Sequence, residues 1–113
     1  MTNPTEAMLN PEQMEARAGE AAAFLASLAS RHRLMILCSL LEGELSVGEL
    51  LGRMPLSQSN LSRHLATLRD ENLVSTRRAG TAIYYSIASD KVRPILEELY
   101  RLFCAPKAAG AQA

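Results

Sequence analysis

Two short segments, each opening with a serine and separated by a proline, restrict the fold of this chain more than any other feature. Ser46 precedes a glutamate by three residues, which is the spacing of a capping box, and so predicts a short helix that stops near Gly52. Pro55 blocks any continuation of that helix, and Ser57 caps a longer one that runs to about Glu71. Two helices joined by roughly four residues in this way predict a helix-turn-helix.

Two further helices are expected before this motif. Residues 12–28 combine strong helix formers with acidic residues in the early turns, and their alanine-rich surface permits close packing against another helix. Ser30 caps the next helix, which is apolar on nearly every side as far as Leu41 and is therefore predicted to be buried. Gly43 ends this second helix.

A β-hairpin and a last helix are expected after the motif. Beyond residue 73, β-branched and aromatic residues surround a turn that contains Gly80, as in a two-stranded hairpin. Ser89 or Asp90 opens the last helix, and Pro94 removes one helical N–H, so the start of this helix is expected to be irregular or displaced by a residue or two. Its apolar face is wider than one core contact requires and has a stripe formed by Val92, Leu96, Leu99 and Phe103.

Together these elements predict a mainly α fold of the α+β class, a winged helix-turn-helix with five helices and a two-stranded β-hairpin wing. The composition agrees, because 48% hydrophobic but only 4% aromatic residues favour helices over a β-sandwich. A single domain is expected over residues 12–104, between flexible tails at residues 1–11 and 105–113. No apolar run approaches the ~20 residues of a membrane span and no signal peptide is recognisable, so we expect a cytoplasmic protein with no membrane partner.

The outer face of the helix capped by Ser57 carries the candidate contacts to double-stranded DNA. Leu61, Leu65 and Leu68 share the inner face, so the opposite face is small and polar at its N-terminal end and suits a major groove. Basic charge is concentrated in the same region, since residues 53–88 hold five arginines against two acidic residues. The candidate DNA-binding residues are Ser57, Gln58, Ser59, Ser62 and Arg63 on the helix and Arg77 and Arg78 on the wing.

Alternatives to DNA binding remain open from the same residues. Exposed serines and arginines also occur on ordinary solvated helices, and a winged helix can serve as a protein-interaction module. His64 lies beside the apolar stripe, where a hydrogen-bonded structural histidine is expected in preference to a base contact or a metal ligand. No Gly-rich phosphate loop, Ser-His-Asp set or clustered carboxylate pair is recognisable, so the chain is not expected to be an enzyme.

The central segment carries a family resemblance. Residues 44–87 read ELSVGELLGRMPLSQSNLSRHLATLRDENLVSTRRAGTAIYYSI. This segment resembles the winged helix-turn-helix of the ArsR/SmtB repressor family, and the similarity extends over roughly residues 18–104. The resemblance implies a homodimer built from the first and last helices, operator DNA bound by residues 57–71, and release of the DNA when an inducer engages.

The metal sites of that family have no counterpart at the matching positions. Where the thiolate-sensing members carry Cys-x-Cys, residues 46–48 read Ser-Val-Gly, which supplies no soft ligand. Where the zinc-type site starts with Asp-x-His, residues 90–92 read Asp-Lys-Val. We therefore expect no metal and no cofactor.

The two cysteines allow several interpretations from their positions alone: packing residues, metal ligands or a sensor. Cys38 lies late in a buried helix, where desolvation and the negative end of the helix dipole both raise a thiol pKa, so spacing favours a packing role for it. Spacing alone does not decide between a packing role and a functional role for Cys104. Nearby cations such as Arg101, Lys107 or His32 would counteract the effect on the pKa. A reducing compartment disfavours a static disulfide.

The pair Cys38 and Cys104 is similar to that of the persulfide-sensing subgroup of the family, the SqrR, BigR and HlyU type, in the contexts RLMILC and RLFC. The resemblance implies that the thiols face each other across the helices, that reactive sulfur species link them by a disulfide or polysulfide bridge, and that DNA binding then weakens. This favours a dithiol-based transcriptional repressor. A peroxide or general redox sensor with the same cysteines, and a regulator whose cysteines are silent, are the alternatives.

Overall fold

The computed structural model describes residues 10–104, so the predicted tails at residues 1–11 and 105–113 lie almost wholly outside the described residues. The five predicted helices and the hairpin are confirmed, and one short strand is added. The elements in chain order are α1 Pro11–Leu28, α2 Arg31–Ser39, β1 Leu45–Ser46, α3 Val47–Arg53, α4 Gln58–Asp70, β2 Val74–Ala79, β3 Ala82–Ile87 and α5 Val92–Phe103.

Helix α1 begins with a capping box. The side chain of Asn10 accepts a hydrogen bond from the Gln13 amide at 2.8 Å, while the Gln13 side chain accepts one from the Asn10 amide at 3.3 Å, and Pro11 occupies the first helical position. Most of the helix is exposed, with only Leu28 buried. Helix α1 therefore leaves most of its surface without a partner in the single chain.

Helix α2 supplies the centre of the core. The Ser30 side chain caps it by accepting from the Arg33 amide, and its last turn tightens into a 3₁₀ turn at Leu40–Glu42. Gly43 follows with φ of +150°, which ends the helix as predicted. The fully buried side chains of the core are Ile36, Leu37, Leu40, Leu50, Leu61, Leu65, Leu68, Val92 and Leu96.

The helix-turn-helix forms as the serine spacing predicts. Ser46 and Glu49 make a reciprocal capping box at the start of α3, with distances of 3.1 and 2.8 Å. The Ser57 side chain accepts from the Asn60 amide at 3.2 Å and starts α4. Asn72 has φ of +62°, and its left-handed conformation lets the next amide bond back to Leu68 and end α4 before the wing.

The wing belongs to a three-stranded antiparallel sheet with the order β1-β3-β2. The hairpin pairs Val74 with Ile87 and turns at Gly80, which has φ of +63° as its predicted role requires. Strand β1 pairs Leu45 with Tyr85 and was not predicted, because two residues are too few to show a strand periodicity. The extra strand joins the wing to the start of α3.

Helix α5 begins at Val92, two residues after the predicted cap Asp90, with no side chain capping it. This displacement agrees with the effect expected of Pro94. The Arg93 guanidinium donates to the Leu41 carbonyl at 2.8 Å and ties the start of α5 to the end of α2.

The predicted apolar stripe of α5 is buried in its first part and exposed at its end. Val92 and Leu96 are buried, but Phe103 at the far end is 79% exposed. The stripe therefore extends beyond the core of the single chain. Within residues 10–104, no single helix has the length and apolar character of a membrane span.

Candidate functional site

The exposed face of α4 begins at its N-terminus with small polar side chains. Ser57, Gln58, Ser59, Ser62 and Arg63 are all exposed, as predicted from the helical period. The Ser57 hydroxyl is occupied in capping α4 and lies 3.3 Å from the Ser59 hydroxyl. The side chains of Gln58, Ser62 and Arg63 form no hydrogen bond within residues 10–104 and so remain available to a ligand. A helix with short exposed side chains at its positive end can approach phosphates and base edges.

The two wing arginines point to opposite faces of the hairpin, because they are consecutive residues of β2. Arg77 reaches across the sheet to Glu44, donating from Nε to Oε2 at 3.1 Å and from Nη2 to Oε1 at 2.5 Å. The hydrogen bonds from Arg77 lower the pKa of the Glu44 carboxyl, and the same contacts raise the pKa of Arg77. Arg78 is exposed and forms no ion pair in the described part of the chain.

Arg77 has an internal partner that the sequence did not suggest. The sequence predicts that Arg77 contacts DNA, and within the single chain its guanidinium is bound by Glu44 and lies 4.7 Å from the centroid of the Tyr84 ring. Sequence reasoning missed Glu44, which precedes Arg77 by thirty-three residues. Only knowledge of the unpredicted strand β1 would have placed this carboxylate beside the wing.

The two cysteines lie on one cleft. Cys38 is half-buried on α2 and Cys104 is exposed at the end of α5, and neither is in a disulfide. They share a largely apolar cleft of about 400 Å³. The other residues that line it are Arg31, Leu34, Met35, Leu99, Tyr100 and Phe103. The fold therefore brings together two thiols that are sixty-six residues apart in the sequence.

Burial raises the pKa of the Cys38 thiol, and the nearby Cys104 raises it further because two thiolates repel each other. Of the cations suggested from the sequence, Arg101 is paired with Glu98, and Lys107 lies outside the described residues. Arg31 is the basic residue that lines the cleft. Its position seven residues before Cys38, two helical turns away on the same face, was the signal that could have identified it.

His64 lies in the contact between α2 and α4. It is half-buried, and its ring centroid is 5.8 Å from that of His32. Burial lowers the pKa of His64, and the neighbouring Arg33, His32 and Arg63 lower it further. No hydrogen bond to the His64 ring forms within residues 10–104, so the described contacts of this histidine are packing contacts and not the expected hydrogen bond. No group of three His, Cys, Asp or Glu side chains in the same range is arranged to hold a metal ion.

Comparison with known proteins identifies the family. Residues 30–76 match the family described as bacterial regulatory protein, arsR family. The transcriptional activator HlyU of Vibrio cholerae is 46% identical over 98 residues, which are 87% of this chain and 91% of HlyU. The chain belongs to the ArsR family. The biofilm growth-associated repressor of Agrobacterium fabrum is also 46% identical, over 94 residues that are 83% of this chain and 80% of that repressor.

The three-dimensional comparison agrees with membership of the ArsR family. The structure of reduced HlyU from Vibrio cholerae superposes with a TM-score of 0.80 and 46% identity, over 83% of this chain and 99% of that one. The predicted winged helix-turn-helix is therefore confirmed. Because its ArsR-family relatives are transcriptional regulators and not enzymes, the chain is a DNA-binding regulator of transcription.

Proposed function

We propose that this regulator is a homodimeric repressor, working in the cytoplasm, that binds double-stranded operator DNA while Cys38 and Cys104 are reduced. Reactive sulfur species, meaning persulfides and polysulfides, link the two thiols and release the DNA. The observation that carries the proposal is the common cleft on which both cysteines lie. One relative with a similar structure, HlyU from Vibrio cholerae, has been solved in the reduced form.

The proposed DNA contacts are the exposed residues of α4 and the wing. Gln58, Ser59, Ser62 and Arg63 lie on the face opposite the buried leucines, where a major groove can reach them. Ser57 anchors the start of this helix through its cap. The wing arginines would then contact phosphates beside the groove.

The proposed chemistry converts two thiols to one bridge and balances with a persulfide as oxidant. One cysteine thiolate attacks the sulfane sulfur of RSSH and becomes a cysteine persulfide, and the thiol RSH leaves. The second thiolate attacks the inner sulfur of that persulfide and displaces hydrogen sulfide, which leaves a disulfide. Each further bridging sulfur consumes one more RSSH and releases one more RSH. The two protein thiols are oxidised by two electrons in forming the disulfide, and the persulfide is reduced.

The uncovered apolar surface of α1 and α5 supports a homodimer. The exposed large apolar side chains of the described residues all lie on these two helices, with Leu25 on α1 53% exposed and Leu102 on α5 57% exposed. Two open depressions of about 560 and 450 Å³ run between these helices and are lined by Phe24, Leu25 and Ile95 among others. We propose that a second copy of the chain covers this surface.

The bridge would act on DNA binding through α2. This helix packs against both α4 and α5, and Arg93 already joins α5 to the end of α2. A covalent link from Cys38 to Cys104 would fix the last turn of α5, which also carries part of the proposed dimer surface. Since half-sites lie about 34 Å apart along DNA, a shift of a few ångströms between the two copies of α4 would reduce affinity.

The test is a titration of DNA binding against sulfur donors. A DNA fragment is first selected from a random pool with the reduced protein, and its affinity is then measured after treatment with an organic persulfide and, separately, with hydrogen peroxide. We expect the persulfide to lower the affinity of the wild type and to leave Cys38→Ser and Cys104→Ser unaffected. An equal response to both oxidants would indicate a general redox regulator. A full persulfide response in either serine variant would contradict the dithiol switch.

A further inference from the structure

The ion pair between Glu44 and Arg77 spans the whole width of the sheet. In the strand register, Arg77 of β2 pairs with Tyr84 of β3, and Tyr84 pairs with Ser46 of β1. The Arg77 side chain therefore crosses the middle strand above the Tyr84 ring to reach Glu44, which lies just before β1. Both charged side chains remain exposed to solvent.

The two donors that Glu44 occupies are the ones that suit a phosphate. A carboxylate that accepts from Nε and Nη2 makes the same forked contact by which arginine binds a phosphate oxygen pair. The guanidinium also lies over the Tyr84 ring, 4.7 Å from its centroid, within the range of a cation–π contact that supports its position beside Glu44. In this state the pair has no net charge, and the wing presents only Arg78 as an unpaired cation among its described residues.

We propose that Glu44 is an internal competitor of DNA phosphate for Arg77, so that wing binding is an exchange of one acidic partner for another. The proposal rests on the proposed DNA-binding function. Breaking the Glu44–Arg77 contact costs free energy, and the free energy of DNA binding is less favourable by that amount. The exchange also leaves Glu44 unpaired beside the DNA. Glu44 thereby limits the affinity for any DNA sequence whose backbone reaches the wing, and it favours sites whose contacts to α4 are strong enough to offset the exchange.

The chain offers matched controls for this proposal. Glu42 is exposed, lies two residues from Glu44 and forms no ion pair within residues 10–104, so Glu42→Gln makes the same charge change without touching Arg77. Arg78 is the neighbouring arginine with no internal carboxylate and points to the opposite face of the hairpin. Effects that depend on the exchange should therefore appear at Glu44 and Arg77 and not at these neighbours.

The experiment is a salt titration of DNA affinity for the reduced wild type and seven variants: E44Q, R77Q, E44Q/R77Q, E42Q, E42Q/R77Q, R78Q and R63A. We expect E44Q to bind about two- to fivefold more tightly at low salt, which is the range for an exposed ion pair, with a salt slope steeper by up to about 0.9. In the R77Q background the E44Q change should increase the affinity by no more than the matched charge change E42Q does, because the competition for Arg77 is gone and only the repulsion of phosphate by the carboxylate remains. The change in DNA affinity caused by E42Q should be the same whether residue 77 is arginine or glutamine.

Two results would overturn the competition. One is E44Q affinity equal to or weaker than that of the wild type while circular dichroism shows an unchanged fold. The other is an E44Q gain that persists undiminished in the R77Q background, since simple repulsion of phosphate by Glu44 would then explain it. If instead the wild type, R78Q and R63A all show the same weak affinity and salt slope, the proposed DNA-binding surface fails and not the competition alone.

Discussion

Leu61 and Arg63 lie two residues apart on α4, and we expect their replacement by alanine to have opposite effects on stability and on DNA affinity. The Leu61 side chain is 0% exposed in the core, so Leu61→Ala should lower the free energy of unfolding by ~2–5 kcal/mol through lost burial and the cavity it leaves. Arg63 is exposed and forms no ion pair within residues 10–104. Because alanine is at least as good a helix former, Arg63→Ala should change the unfolding free energy by no more than ~0.5 kcal/mol.

For DNA affinity the order should be reversed, with a large effect of the Arg63 substitution and little effect of the Leu61 substitution. If Arg63 contacts a base edge or a phosphate, its loss should weaken binding by about five- to a hundredfold, and loss of a phosphate contact would also reduce the salt slope by about 1. Leu61→Ala should leave affinity and slope near those of the wild type at a temperature where the variant is fully folded, with Leu61→Val as the milder substitute if it is not.

The assays are urea unfolding at one fixed protein concentration, since a dimer's stability depends on concentration, and fluorescence anisotropy with labelled DNA. Unchanged affinity and slope in Arg63→Ala would refute the assignment of the outer face of α4 to DNA. Destabilisation by Arg63→Ala as large as that of Leu61→Ala would refute the packing argument itself.

Three further predictions follow from other sites. His64 has a folded-state pKa below its unfolded value, so its contribution to stability is present above about pH 6.5 and is lost as the pH falls through the folded pKa. His64→Gln should therefore reduce the decrease in the free energy of unfolding that acid causes, measured by urea unfolding at a series of pH values. Gly80→Ala forces a side chain onto a φ of +63° and should destabilise the protein by ~1 kcal/mol in urea, whereas Gly52→Ala, in a helix with no atom within 4 Å of the added carbon, should not. The alkylation rate of Cys38 in Cys104→Ser, followed by mass spectrometry, should rise with pH only above the range of an ordinary thiol, because burial raises its pKa; a profile like that of a free thiol would contradict this.

The elements set by local chemistry were predictable from the sequence. The serine caps of α3 and α4, the glycine at the hairpin turn and the leucine face of α4 each depend on residues a few positions apart, so short-range rules located them. The delayed start of α5 also followed from one residue, Pro94. For the same reason the helical period of the leucines is enough to identify the exposed face of α4.

The features set by tertiary contact were not predictable. Strand β1 has two residues and exists because β3 pairs with it, and the Glu44 contact to Arg77 depends on that strand. Arg31 lines the thiol cleft only because α2 and α5 pack together. The exposure of Phe103 likewise depends on what α5 meets, which a helical period does not specify.

We propose that one sulfur bridge forms inside a single subunit and controls DNA binding. Reduced protein is treated with increasing organic persulfide, and each sample is divided between a DNA-binding assay and intact and peptide mass spectrometry without reduction. We expect a Cys38–Cys104 bridge within one chain, by disulfide or with added sulfur, to accumulate in parallel with the loss of DNA binding. Loss of binding with both cysteines unlinked, or with a bridge only between two chains, would contradict it.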